Sequence, residues 1–446
     1  MHGIPRLPVK IRRAKSPFLF LIIVALSAFF LMPRPSSALI QIQIDGPSSR
    51  KFQIAIHDFK GQSSQSQCKG IAADLLSVVS SDLDFSGYFN LIGKKAYLVD
   101  EGADLSPESI RFKDWSAIGA ELLLLASYNC TGGRLEIEAR LFDVFSGQQI
   151  LGKKVSGSKD HYRHLGHRLS NEIVLKLTGH PGIFLTRLAF VSNASGSKEV
   201  YISDYDGYNV RQVIKDYSIA LLPRLSPDRK QITYTSYKEG EPTLYLRNLA
   251  SGRVKQLSGG PGMISGVSWA PDGAEMALTV SKKGNPDICI MDLNGTITDR
   301  LTTYDGIDVS PSYSPDGNRI AFVSDRSGSP QVYVLDIASG KSTRLTYNGK
   351  YCTSPSWSSL NRIAYVAIVD GRLDIFSIDA NGGPAKRLTI NQGKNEDPCW
   401  SPDGRYIVFS SNRGGRYSLY IMTANGQNQK KIKALSGNQT CPSWVR

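Results

Sequence analysis

The chain has 446 residues and a formal net charge of +14, and it is 41% hydrophobic and 21% charged. Such a composition is globular, excludes a disordered or collagen-like chain, and at this length calls for more than one domain. Six of the 53 basic residues and none of the 39 acids lie in residues 1–38, so the remainder carries +8, a mildly basic balance that favours acidic partners. No basic run interleaved with aromatics, helix-turn-helix or zinc-finger spacing points to nucleic acid.

In chain order, residues 1–38 read as a cleaved secretory leader. Lys10, Arg12, Arg13 and Lys15 flank an apolar run from Phe18 to Met32, and Ser36-Ser37-Ala38 places small residues before Leu39. The run has 15 residues, short of the roughly 20 that a membrane span needs, and Pro33 and Pro35 follow it. Residues 39–180 are expected to form a small mixed α/β domain. Ile40–Ile44 alternates like a strand, and Phe52–Phe59 is a second. Ile71–Leu83 has helical spacing of Leu75, Leu76 and Val79. Leu122–Tyr128 and Leu135–Phe145 read as strands, with Gly132-Gly133 turning between them. A last helix from His161 to Thr178 sets Leu165, Leu169, Ile173 and Leu177 on one face, and Gly179 and Pro181 stop it.

From 181 to 446 the chain repeats. Ser314-Pro-Asp-Gly317 and Ser401-Pro-Asp-Gly404 are identical, and Ala270-Pro-Asp-Gly273 and Ser226-Pro-Asp-Arg229 are near copies. Trp269, Tyr313, Trp357, Trp400 and Trp444 precede such turns at spacings of 44, 44, 43 and 44, with Leu225 in the same place one period earlier. After Trp357 the turn reads Ser-Ser-Leu-Asn instead. Apolar runs beginning at Leu188, Ile232, Met276, Ile320, Ile363 and Ile407 keep the same period. Each repeat holds four short strand-like pieces, which is the size of a propeller blade. There are six apolar second strands but only five first strands between them, so Cys441–Arg446 is expected to supply the sixth and close the first blade. The expected fold is therefore a mixed α/β domain followed by an all-β six-bladed propeller with four-stranded blades.

Catalytic and metal signatures were sought. The chain has no Gly-x-Ser-x-Gly elbow, so a peptidase gated by a propeller is not expected. Gly340-Lys341-Ser342 lacks the upstream Gly of a phosphate loop and sits at a hairpin. His161, His164 and His167 recur at three-residue spacing without companion ligands and read as a polar helix face. Asp204-Tyr-Asp-Gly207 reads as a turn rather than the start of a calcium loop, for lack of a distal Glu. No metal, cofactor or catalytic residue is expected. Six cysteines (68, 130, 289, 352, 399 and 441) allow several pairings, and six small buried thiols are expected.

Propellers bind through the loops of one face. The second-to-third strand loops carry Lys282, Lys283, Arg326, Arg413 and Arg416, and the linkers entering the first strands carry Asp308, Asn395 and Gln439. A basic rim around a small polar throat is expected there.

Asp82-Leu-Asp-Phe-Ser-Gly-Tyr-Phe89, Trp115 with Gly119-Ala120, Leu177-Thr-Gly-His-Pro-Gly-Ile-Phe-Leu-Thr-Arg187 and the Ser-Pro-Asp-Gly repeats together resemble the TolB family over essentially the whole chain after residue 38. The resemblance implies a monomeric, non-catalytic periplasmic protein of the Tol-Pal system, with roles in outer-membrane integrity and cell division. It implies a propeller that docks a peptidoglycan-associated lipoprotein of the Pal type. It also implies an N-terminal segment, here with Leu39, Ile40, Ile42 and Ile44, that engages a TolA-type inner-membrane protein. The alternation of that segment suits strand addition to a partner's sheet.

Overall fold

A computed structural model describes residues 50–62, 68, 70–98, 108–257, 263–282, 284–347, 349–433 and 435–445. The expected leader and the segment with Leu39, Ile40, Ile42 and Ile44 lie outside the described residues, as do Lys283 and the side chain of Lys282. No helix among the described residues is long and apolar enough to cross a membrane.

The N-terminal domain is a mixed sheet backed by helices. Its strands are β1 (Phe52–Ile56), β2 (Lys60–Gly61), β3 (Phe89–Leu91), β4 (Leu122–Thr131), β5 (Arg134–Asp143) and β6 (Gln149–Ser158). Its α-helices are α1 (Ile71–Phe85), α2 (Phe112–Ala117) and α3 (Tyr162–Thr178). The sheet order is β3-β1-β4-β5-β6, with β2 beside β4. β1 runs parallel to β3 and β4, and β4 to β6 form an antiparallel meander. Gly132 and Gly133 take positive φ in the tight turn after β4, where a side chain would be strained. α3 ends at Gly179, φ 74°, whose N–H caps the Leu175 carbonyl. β6 and α2 escape the sequence reading. β6 carries Gly152, Lys153, Lys154 and Gly157, poor strand formers that hold because β5 pairs with them along their length. The expectation of six free thiols is corrected: Cys68 and Cys130 form a disulfide, joining the chain ahead of α1 to the end of β4.

The propeller has six four-stranded sheets. Blade 2 shows the plan: Ala220–Leu225, Gln231–Ser236, Thr243–Asn248 and Val254–Gln256 run outward as an antiparallel meander. Blade 1 is closed by the C-terminal strand Gln439–Val445 on Arg187–Ser192, with Trp444 opposite Leu188 and Gln439 opposite Ser192. The second strands, such as Arg319–Ser324 and Tyr406–Ser411, are buried at almost every position. They are sandwiched between neighbouring blades, so both faces must be apolar and the alternation of a half-exposed strand disappears.

The Ser-Pro-Asp-Gly motif is a self-bonded turn. Ser314 Oγ donates to Asp316 at 2.5 Å, and the N–H groups of Asn318 and Arg319 bond Asp316 and Ser314 in turn. The bond from Ser314, then that from the Asn318 N–H, hold the Asp316 carboxyl below its usual pKa. The divergent turn after Trp357 keeps the geometry, because Asn361 takes a left-handed φ of 56° where the repeat elsewhere has Gly317, φ 75°.

Every innermost strand is also broken by a bulge. Leu222, Gly266, Ser310, Ser354, Asp397 and Cys441 occupy the left-handed region, and each pairing register slips there. Just past the bulge a side chain reaches the next blade. Ser268, Ser312, Ser356, Cys399 and Ser443 accept hydrogen bonds from the N–H groups of Tyr313, Trp357, Trp400, Trp444 and Leu225. At the remaining junction the Trp269 indole donates to the Arg224 carbonyl at 3.1 Å. Each blade is thus tied to its neighbour around the ring.

Candidate functional site

In an antiparallel blade the first-to-second and third-to-fourth turns share one face of the ring, and the second-to-third loops and the inter-blade linkers share the other. The N-terminal domain sits on the first of these faces, at blades 6 and 1. The Tyr406 hydroxyl donates to the Ser86 carbonyl at 2.6 Å and stacks on Phe85, centroids 4.9 Å apart. Arg405 lies over the Tyr88 ring at 4.2 Å, and Lys430 pairs with Asp84 at 3.0 Å.

Deeper in that contact, α1, α3 and blade 1 meet at charge. The Tyr205 hydroxyl donates to Asp82 Oδ1 at 2.5 Å, and His167 Nδ1 lies 2.9 Å from Asp82 Oδ2. Arg163 pairs with Asp206 and stacks on Tyr208 at 3.6 Å. Burial opposes charge on His167, but the bond to Asp82 and the fields of Asp82 and Asp206 outweigh it and raise its pKa. Burial, then Asp82, push the Tyr205 hydroxyl far above its usual range. The expectation of a polar face with three histidines is corrected. His161 and His164 are exposed, but His167 points inward and is 2% exposed. Successive residues three apart drift around a helix, so a short row need not share one environment.

On the opposite face, Arg326 and Arg413 of the expected basic rim are both engaged by neighbouring side chains. Arg326 makes a two-pronged bond from one nitrogen to Asp308, at 2.9 and 3.1 Å, and another to Ser324 at 2.8 Å. Asp308 is 0% exposed and the Arg326 side chain 24%. Arg413 donates to Ser411, Gln429 and Asn395 and lies over Tyr420 at 4.6 Å. Asn395 is buried and donates to Asp374, which also pairs with Arg387. Gln439 is buried and donates to the Leu435 carbonyl. Asp308, Asn395 and Gln439 therefore brace the loops from inside. Arg416 alone of the described candidates is exposed with its cation facing out. The sequence pattern does not show that neighbouring carboxylates and amides have claimed the guanidinium groups of Arg326 and Arg413.

What the sequence reading missed is apolar. The inter-blade linkers expose Tyr217 (77%), Ile219, Tyr304, Ile307, Tyr347 (71%), Tyr351 and Ile390. Arg344 stacks on Tyr347 at 4.8 Å, and Lys215 reaches the Tyr217 ring at 5.1 Å. Their signal is present in the sequence: each lies within the few residues ahead of an innermost strand, in a stretch expected to be a solvated loop. These side chains make the linker face a candidate interaction surface.

Together these features define a two-domain β-propeller protein with an α/β domain set against one face of the ring. The chain belongs to the TolB family: it matches the TolB beta propeller domain over residues 174–446 and the TolB amino-terminal domain over residues 40–150. It is 40% identical over 216 residues to the Tol-Pal system protein TolB of Desulfosudis oleivorans, which is 48% of this chain and 49% of that protein. It is 34% identical over 260 residues to that of Paramagnetospirillum magneticum, or 57% of each chain. In these matches the chain spans about half the length of the curated relatives. The crystal structure of TolB from Acinetobacter baumannii is similar with a TM-score of 0.79 at 30% identity, covering 89% of this chain and 98% of that one.

Proposed function

We propose that this chain is a non-catalytic periplasmic docking protein of the Tol-Pal system. In this reading residues 1–38 are a leader, 39–180 the α/β domain and 181–446 the propeller. The open mouth receives a Pal-type lipoprotein, and the segment with Leu39, Ile40, Ile42 and Ile44 engages a TolA-type inner-membrane protein. The protein acts as a monomer in outer-membrane integrity and in envelope constriction at division.

The observation that carries this reading is the contrast of the two faces. One is covered by the chain's own domain, while the other exposes tyrosines and isoleucines beside cations. Aromatic anchors of this kind supply most of the energy of protein interfaces. Calorimetric titration with the periplasmic domain of the cognate Pal-type lipoprotein tests the reading. Binding that is lost in Tyr217→Ser/Tyr347→Ser supports it, and binding indifferent to both substitutions removes the mouth from the docking site.

A further inference from the structure

The contact between α3 and blade 1 contains an imidazole nitrogen with nothing to bond. His167 Nε2 is buried and has no hydrogen-bond partner among the described residues. It faces Asp206 Oδ2 at 3.7 Å, beyond hydrogen-bond reach. Asp204 lies two residues earlier on the same turn, and one ligand atom from each of His167, Asp204 and Asp206 falls within 4.8 Å of the others. From these residues we infer a site for a divalent transition cation of the zinc type, held by His167 Nε2, Asp204 and Asp206 at the seam between the N-terminal domain and the propeller.

Three arguments support it. The first is geometric. Zinc–nitrogen and zinc–oxygen bonds of about 2.0–2.2 Å separate two ligands of one tetrahedral ion by roughly 3.3 Å. A gap of 3.7 Å between Nε2 and Oδ2 is too long for a proton to bridge and close to what an ion fills. The second is orientation. The other nitrogen of His167 is fixed by Asp82, which is itself held by the Tyr205 hydroxyl. A carboxylate behind the far nitrogen is the usual arrangement for a metal-binding histidine, since it sets the ring and raises ligand basicity. The third is charge. Asp82, Asp204 and Asp206 outnumber the guanidinium of Arg163 that pairs with Asp206, so the cluster is acidic and suits a divalent cation that displaces the His167 proton. Arg163 binds Asp206 without exhausting it, because a carboxylate offers about four lone-pair sites. The remaining position on the ion would be filled by water.

Zn2+ titrated into the EDTA-treated full chain tests the site, with Co2+ absorption reporting geometry. The expected result is one saturable equivalent, a melting temperature raised by the ion, and a d–d spectrum of a low-coordinate Co2+ site. Asp204→Asn and Asp206→Asn should each weaken binding by at least about tenfold. His161→Gln, on the exposed side of the same helix, should leave it unchanged. Asp204 is the half-buried last residue of the Glu199–Asp204 strand and accepts a bond from Asn209, and an unchanged melt without metal verifies that its variant keeps the fold. An absence of saturable binding overturns the proposal, as does binding that persists in both aspartate variants and so belongs to the thiols or another site.

Discussion

The two faces of this propeller are made by the same chain repeated six times, yet they have opposite fates. On the capped face, the rings of Tyr406 and Tyr205 are consumed by the protein itself, bonded or stacked against α1 and the Phe85–Tyr88 turn, while Tyr208 stays half exposed under Arg163. On the open face Tyr217 and Tyr347 stand in solvent while the charged groups are the ones consumed, with Arg326 locked on Asp308 and Arg413 on Asn395. Burying an aromatic side chain stabilises by a few kcal/mol, so leaving several exposed on one rim forgoes stability that a partner's surface can recover. The arginine clamps show the reverse logic. They tie the second-to-third strand loops of that face to the buried starts of the innermost strands.

Four experiments break or sharpen that contrast. The largest effect is expected where both faces depend on one element, the closing strand. Trp444 is buried and its indole donates to Thr186 at 2.8 Å, so Trp444→Ala should lower propeller stability by about 3–5 kcal/mol in urea unfolding. A change below 1 kcal/mol would show that the ring does not depend on this strand.

Next come the clamps of the open face. Asp308→Ala strips Arg326 of its carboxylate and should cost roughly 1.5–3 kcal/mol, less than a fully buried pair because the arginine is partly solvated. Equal stability of wild type and variant would return Arg326 to the class of free rim charges. A smaller effect is expected on the capped face. Tyr406→Phe removes a hydroxyl bonded to the Ser86 and Phe85 carbonyls and should cost about 1 kcal/mol. It should speed proteolysis between the domains while leaving lipoprotein affinity intact, and a matching loss of affinity would mean that the two faces are coupled.

The smallest effect on stability belongs to the exposed tyrosines. Tyr217→Ser/Tyr347→Ser should shift unfolding by no more than about 0.5 kcal/mol per site. Lipoprotein binding measured by calorimetry should nevertheless fall at least about tenfold. A large drop in Tm with unchanged affinity would place these rings in the folding core instead.

Much of this was open to reading in one dimension. The 44-residue period, the unbroken apolar second strands and the orphan first strand at the C-terminus follow from local rules, because turn chemistry and burial on both faces leave marks at fixed spacing. The helix ending at Gly179 was readable for the same reason. Three features were not. The left-handed bulges at Leu222, Ser310 and Ser354 occupy residues with little intrinsic preference for that conformation, and they recur at one place in every innermost strand. The Cys68–Cys130 bond joins positions 62 residues apart, a pairing that no local pattern marks. The inward turn of His167 onto Asp82 and Tyr205 joins three segments distant in sequence. Sequence determined the repeat, its strand count and its closure, since each depends on a few neighbouring residues and a period. Tertiary structure alone decided which charges stay free, because a guanidinium is claimed or left open by whatever carboxylate the fold brings beneath it.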